Sequence, residues 1–195
     1  MAYWSVNLLI IFSLCVLLAG VLIPQILLIA YRKNLFDEVD ERKIHKGSIP
    51  RLGGLAFEPV IMLSLALVLG ANMMMGYSDF GTALTHDCLL LIATFCSMMM
   101  LYLIGIADDL IGIKYRAKFV VQIACAVLLI CGGAWFDSLG GIFGIWGLHP
   151  AIGYPFTAIV IVFLINAINL IDGIDGLASG LSSIAVIISV SYTHL

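Results

Sequence analysis

Long apolar runs separated by short polar segments make up almost the whole chain. From Met1 to Tyr31 no charged residue occurs, and the run ends in Arg32 and Lys33. Further apolar runs cover about residues 55–76, 88–107, 119–136, 154–171 and 177–195. With residues 5–31 they make six stretches, near the roughly 20 residues a helix needs to cross about 30 Å of hydrocarbon. The pattern predicts an all-α, polytopic transmembrane helical bundle, with residues 1–195 forming a single integral membrane domain. Pro24 is a candidate bend in the first span, and Glu58–Pro59 stand near the start of the second. A cleaved signal peptide would begin with basic residues and end at small ones, and residues 1–31 do neither. The last run stops at Ser-Tyr-Thr-His-Leu without a basic flank, so the chain reads as truncated, and its final residues carry no weight in the reading.

Composition sharpens this picture. Of the 195 residues 63% are apolar and 11% charged, against roughly 45–50% and 25% in ordinary globular proteins. A soluble domain of this size could not hide so much apolar surface from water. Soluble enzymes, disordered chains and nucleic-acid binders are thereby excluded. Cys15, Cys88, Cys96, Cys125 and Cys131 all fall inside apolar runs without metal-ligand or CxxC spacing, and read as small hydrophobes.

The net charge of −3 matters less than where the charges stand. All nine Lys and Arg lie in two loops: Arg32, Lys33, Arg42, Lys43, Lys46 and Arg51 in one, Lys114, Arg116 and Lys118 in the other. By the positive-inside rule those loops face the cytoplasm and the N-terminus faces out. Counting spans puts residues 171–176 on the cytoplasmic side too. Asp79, His86, Asp87, Asp137 and His149 then belong to outer loops.

Three polar segments therefore share one side. The first runs from Arg42 to Gly54 and holds His45, Lys46 and Arg51 between glycines and a proline. It reads either as a topology signal drawn to anionic headgroups or as a cradle for phosphates. The acids before it, Asp37, Glu38, Asp40 and Glu41, read as a solvated loop face. The second segment carries Asp108 and Asp109. Adjacent carboxylates repel and are costly at low dielectric unless a cation or proton compensates. They are a hydrated helix terminus or a metal or acid–base site. Lys118, nine residues after Asp109, is a snorkelling anchor or a cation reaching the same vestibule. In the third segment Asn166, Asn169, Asp172 and Asp175 recur every three residues, so neighbours share a helix face. Gly173 and Gly176 then allow close approach of the backbone to a ligand. A polar helix-packing motif is the plainer reading of this segment. Glu58 lies in the span without an assigned role. Hard cations such as Mg²⁺ choose carboxylate and amide oxygens and bridge to phosphates. The sum is a cytoplasm-facing site for phosphoryl transfer at a membrane surface, with a lipid as one candidate substrate.

Arg42-Lys-Ile-His-Lys-Gly-Ser-Ile-Pro-Arg-Leu-Gly-Gly54, the Asp108–Asp109 pair and Asn166-Ala-Ile-Asn-Leu-Ile-Asp-Gly-Ile-Asp-Gly-Leu-Ala178 resemble the polyprenyl-phosphate sugar-1-phosphate transferases. The three motifs occur in the family's order and the match covers the whole chain. The third motif and the Pro50-Arg-Leu-Gly-Gly54 turn look more like the branch using UDP-N-acetylglucosamine. The pentapeptide-transferase branch typically has Thr where Ile171 stands.

The resemblance implies that undecaprenyl phosphate attacks the sugar-linked phosphate of UDP-N-acetylglucosamine. UMP leaves, and a lipid-pyrophosphate sugar for cell-envelope polysaccharide remains. It implies Asp108, Asp109 and Lys118 as catalytic residues and His45, Lys46, Asn166, Asp172 and Asp175 as substrate contacts. It implies Mg²⁺, or Mn²⁺ in its place, held by Asp108, Asp109, Asn169 and Asp172. Membrane lipids and a second copy of the chain are the other partners it admits, and nucleic acid is not among them. The location implied is the bacterial inner membrane, multi-pass, with a cytoplasmic active site. The family has ten or eleven spans, and its later loops add an acidic metal ligand and a His motif beyond residue 195, so this length is expected to carry half a site and no activity alone.

The pentapeptide transferase of peptidoglycan synthesis is the nearest alternative. A transporter would place its polar residues deep in the spans rather than at one interface. A CDP-alcohol phosphotransferase would need Asp-Gly-x-x-Ala-Arg starting at Asp172, where Gly176 stands in place of the Ala.

Overall fold

In the computed structural model the described residues are 2–33, 53–77, 87–172 and 177–193, and they form helices without strands. Six α-helices follow one another: α1 Ala2–Lys33, α2 Phe57–Met74, α3 Cys88–Ile111, α4 Tyr115–Cys131, α5 Pro150–Ile171 and α6 Leu177–Thr193. A short 3₁₀ turn, Gly53–Ala56, leads into α2, and another, Ile142–Gly144, lies between α4 and α5. The segments Ser5–Lys33, Gly54–Met74, Cys88–Ile111 and Pro150–Ile171 are long and apolar enough to cross a membrane. α4 and α6, expected as full spans, have only 17 residues each, or roughly 25 Å at 1.5 Å per residue.

The helices are apolar on all sides, and large side chains such as Leu8, Phe12, Leu103, Val120 and Phe163 face outward. Such helices are stable where lipid replaces water as the outer solvent. Inside, the contacts are made by small residues: Ala93, Cys125 and Ala126 are buried in the α3–α4 region, and Ser64 and Val68 on α2. Small side chains let helix backbones approach closely where no hydrophobic drive separates helix from lipid. α3 packs along α4, α4 along α5, and α1 along α2, while α6 touches α5 more lightly.

The two helix boundaries at the α3–α4 turn differ from the expectation for one reason. α3 does not end at Ala107 but carries Asp108 and Asp109 in its last turn, and α4 starts at Tyr115 rather than Phe119. Acids at a helix C-terminus and bases at an N-terminus both oppose the helix dipole. Here Lys118 Nζ donates to Asp108 Oδ2 at 2.5 Å, so each charge offsets the other. Gly112, at φ 66°, makes the tight turn between them. α4 also ends earlier than expected, at Cys131, because Gly132 and Gly133 follow. A Cβ on Gly132 would sit 2.9 Å from the Ala93 Cβ, so only glycine fits there.

At the end of the bundle away from Lys118, the chain folds onto the start of α5. The Phe136 N–H donates to Thr157 Oγ1 at 2.9 Å, and Trp135 meets Tyr154 edge-on at 4.9 Å. His149, expected as a plain loop residue, caps α5: its Nδ1 accepts from the Ala151 N–H at 3.2 Å.

Candidate active site

The site is built from the α3–α4 turn upward. Asp108 Oδ1 accepts the Ile113 N–H at 3.0 Å, and the Gly112 N–H bonds the Asp108 carbonyl at 2.8 Å. The carboxylate therefore fixes the turn with one oxygen and holds Lys118 with the other. Both side chains are about one-third exposed, at 31% and 36%. They face a cavity of about 380 Å³ whose other walls include Gly105, Gln122, Asn166, Asn169 and Asp172. Residues of three helices, distant in sequence, meet here at one end of the bundle. Of the residues singled out from sequence, Asp108, Lys118, Asn166, Asn169 and Asp172 are brought together.

Asp109 is not brought to that cavity. One residue on a helix turns about 100°, which aims it at a separate cleft of about 160 Å³ lined by Gly54, Leu55, Tyr102 and Ile106. Tyr102 closes this cleft, its hydroxyl donating to the Leu55 carbonyl at 3.1 Å. The end of the first polar segment thus lies at the same end of the bundle as the other two. His45, Lys46 and Asp175 lie outside the described residues.

Asn166 departs from a simple substrate contact. Its Nδ2 donates to Gln122 Oε1 and to the Val162 carbonyl, both at 2.7 Å, and Gln122 Nε2 returns a longer bond of 3.4 Å to Asn166 Oδ1. Gln122 had no place in the reading of the sequence. The signal was present nonetheless, since an amide in the middle of an apolar helix is costly unless it has a partner.

No cluster of three or more His, Cys, Asp or Glu side chains occurs among the described residues. Outside the Gln122–Asn166 amide pair, the hard-oxygen donors on this cavity are two carboxylates, Asp108 and Asp172, and the Asn169 amide. That donor chemistry fits Mg²⁺, which takes one or two carboxylates and completes its octahedron with water or phosphate. The cavity can hold a phosphate against a lysine beside hard-oxygen ligands.

Fold and cavity together define a polytopic helical membrane protein with a carboxylate–lysine site at one end of its bundle. The model of glycosyl transferase family 4 matches residues 91–195, and the chain belongs to that family. It is 33% identical over 159 residues to the undecaprenyl-phosphate alpha-N-acetylglucosaminyl 1-phosphate transferase of Salmonella typhi, covering 80% of this chain and 39% of that protein. The probable undecaprenyl-phosphate N-acetylglucosaminyl 1-phosphate transferase of Bacillus subtilis (strain 168) is 31% identical over 177 residues, 90% of this chain and 45% of its own length. A phospho-N-acetylmuramoyl-pentapeptide-transferase of Desulfitobacterium hafniense is 28% identical over 92% of this chain and 53% of its own. The chain thus spans about half the length of these relatives. No solved structure matches it.

Proposed function

We propose that the full-length protein transfers N-acetylglucosamine 1-phosphate from UDP-N-acetylglucosamine to undecaprenyl phosphate, releasing UMP and leaving a lipid-pyrophosphate sugar. The observation that carries this reading is the Asp108–Lys118 pair facing Asn169 and Asp172 across one cavity at the end of apolar helices. A lipid acceptor can reach such a site from the bilayer while a nucleotide sugar reaches it from water.

Phosphoryl transfer demands mainly positioning and charge stabilisation. Lys118 supplies a compact cation to the phosphate oxygens, and Asp108 holds the lysine in place. Asp108 is also one candidate to take a proton from the lipid phosphate, with Asp109 the other through its neighbouring cleft. Mg²⁺, or Mn²⁺, would be held by Asn169 and Asp172 with Asp108, and would neutralise charge developing on the transferring phosphate. Asp109 joins that ligand set only through a rearrangement of α3. Asp175, His45 and Lys46 remain the candidates for nucleotide and sugar contacts.

The placement of all nine Lys and Arg supports a cytoplasmic active site in the bacterial inner membrane with the N-terminus outside. Two relatives named for N-acetylglucosamine match at 33% and 31%, against 28% for the pentapeptide transferase, which favours the smaller sugar. A homodimer is compatible with the outward apolar faces. The test is turnover of radiolabelled UDP-N-acetylglucosamine and of UDP-N-acetylmuramoyl-pentapeptide by the full-length protein in undecaprenyl-phosphate vesicles. A labelled lipid from the first substrate is expected. Label entering lipid only from the second would reassign the sugar, and none from either would overturn the reaction.

A further inference from the structure

The α4–α5 interface is keyed at the start of α5, where the Phe136 N–H reaches Thr157 and Trp135 meets Tyr154, while nearer Lys118 it is flanked by two cavities. On one side lies the polar cavity, and on the other an apolar groove of about 630 Å³ lined by Phe119, Ile123, Pro155, Ile159 and Val162, with Asn166 in the wall of both. Apolar side chains in lipid pack acceptably in several registers, because lipid tails are as apolar as they are. Gln122, only 7% exposed, is an expensive residue to keep in such an interface. An apolar residue of the same shape would serve packing alone at least as well.

From these observations we infer that Gln122 and Asn166 form a positioning pair that holds the register of α4 against α5 at the active-site end, where the contacts at the start of α5 do not reach. The inference rests on the transferase reading. Lys118 lies one helical turn before Gln122 on α4, and Asn169 lies three residues after Asn166 on α5. The amide pair therefore stands one turn deeper in the bundle than the groups that would meet phosphate and metal. Two-point recognition between the amides, 2.7 Å in one direction and 3.4 Å in the other, defines one register. A single polar pair in an apolar interface is the best-attested use of such a costly group. Sliding either helix by one residue moves it about 1.5 Å and carries Lys118 out of line with Asn169. Gln122 acts through Asn166 and is a positioning residue, and Asn166 moves from substrate contact to the same role.

The experiment uses the full-length protein and three forms: wild type, Gln122→Met, and the exchange Gln122→Asn with Asn166→Gln. Methionine keeps length and volume and favours membrane insertion, but makes no amide pair. It is expected to reach the membrane normally, to lose about tenfold or more in kcat with KM for the nucleotide sugar little changed, since misplacement by about 1 Å can cost a hundredfold. The rise in melting temperature on adding Mg²⁺ should shrink in parallel, a readout that does not depend on turnover. The exchange restores an amide pair and should recover kcat to within a few-fold of wild type. Unchanged kcat and an unchanged Mg²⁺ response in Gln122→Met would overturn the inference alone. So would a folded exchange variant as poor as the single one, because Gln122 would then be touching substrate itself. Should Gln122→Met fail to accumulate, the exchange variant decides by the same criterion. Wild-type protein inactive on both nucleotide sugars would overturn the transferase reading and the inference with it.

Discussion

Two of the polar groups in this apolar bundle are built in opposite ways. At the end of α1 and α2 away from Asp108, Tyr3, Asn7 and Asn72 form a neutral cluster bonded to one another beside an apolar cavity of about 440 Å³. The Tyr3 hydroxyl donates to Asn72 Oδ1 at 2.5 Å, and Asn72 Nδ2 donates to Asn7 Oδ1 and the Val68 carbonyl, both at 2.8 Å. Asn7 Nδ2 in turn bonds the Tyr3 carbonyl at 3.0 Å. At the other end Asp108 and Lys118 are charged and partly exposed, and they share a cavity with Asn169 and Asp172, both exposed. A neutral cluster whose side chains bond one another across two helices, beside an otherwise apolar cavity, joins helices. A charged group that faces a cavity with oxygen donors to spare serves a ligand. The same cost of polarity in lipid is met internally in the first case and directed outward in the second.

The sharpest way to break this contrast is at Lys118. In the full-length protein Lys118→Ala is expected to lose about two to three decades of turnover, the roughly 3–4 kcal/mol typical of charge stabilisation in a reacting site, with insertion intact. Lys118→Arg should lose most activity as well, because a planar guanidinium does not replace a compact ammonium held by one carboxylate oxygen. Normal turnover in Lys118→Arg would make the lysine an anchor. Next in size is Asp108→Asn. It weakens the bond to Lys118, and charge-assisted hydrogen bonds are worth about 1.5–3 kcal/mol, so kcat should fall roughly ten- to a hundredfold. Asp109→Asn should lower turnover less, since Asp109 lines the other cleft. Equal losses in the two would mean that α3 rearranges to use both acids.

The Tyr3–Asn7–Asn72 cluster should answer differently. Asn72→Leu removes the centre of three hydrogen bonds and is expected to cost about 0.6–1.7 kcal/mol, the range for interhelical hydrogen bonds in membranes. Melting temperature should fall, while turnover per folded molecule stays at the wild-type level. A loss of kcat without loss of stability would give this neutral cluster a part in function that its bonding between helices does not suggest.

The sequence made the helices legible because lipid demands long uninterrupted apolar runs, and such runs need no long-range information. It also made the charged half of the site legible: positive-inside bias and the Asn166–Asp175 spacing put the right segments at one end. What it hid was pairing across helices. The ends of α3 and α4 were misjudged because Asp108 and Lys118 read as loop residues until each is seen to offset the other against its helix dipole. Gln122 passed unnoticed because its partner stands 44 residues away, and a lone amide in an apolar run carries no periodicity. The divergence of Asp108 and Asp109 is a matter of 100° per residue, decidable only once both are known to be helical.

The smallest expected effect is the one that separates a placed lysine from a merely positive loop. Lys114 and Arg116 share the α3–α4 connection with Lys118 and the same topological duty. Lys114 caps the start of α4 through its carbonyl, which accepts from the Ala117 N–H at 3.0 Å, and its side chain is exposed. The Arg116 guanidinium lies over the Tyr115 ring, 5.8 Å from its centroid, and its Nε donates to the Tyr115 hydroxyl at 3.2 Å. Neither side chain lines the cavity that holds Asp108 and Asn169. An exposed contact of this kind contributes on the order of 0.5–1 kcal/mol to local order, and nothing connects it to a bound phosphate. Lys114→Ala and Arg116→Ala should therefore change turnover by about twofold or less, because surface charges of this kind are largely screened at physiological salt. Orientation should survive each single change, since eight basic residues of the nine remain on that side. The measurement is turnover alongside Lys118→Ala in one membrane preparation, at low and at physiological salt. Three equal losses that shrink together as salt rises would show a loop acting through net charge, and Lys118 would lose its place in the site.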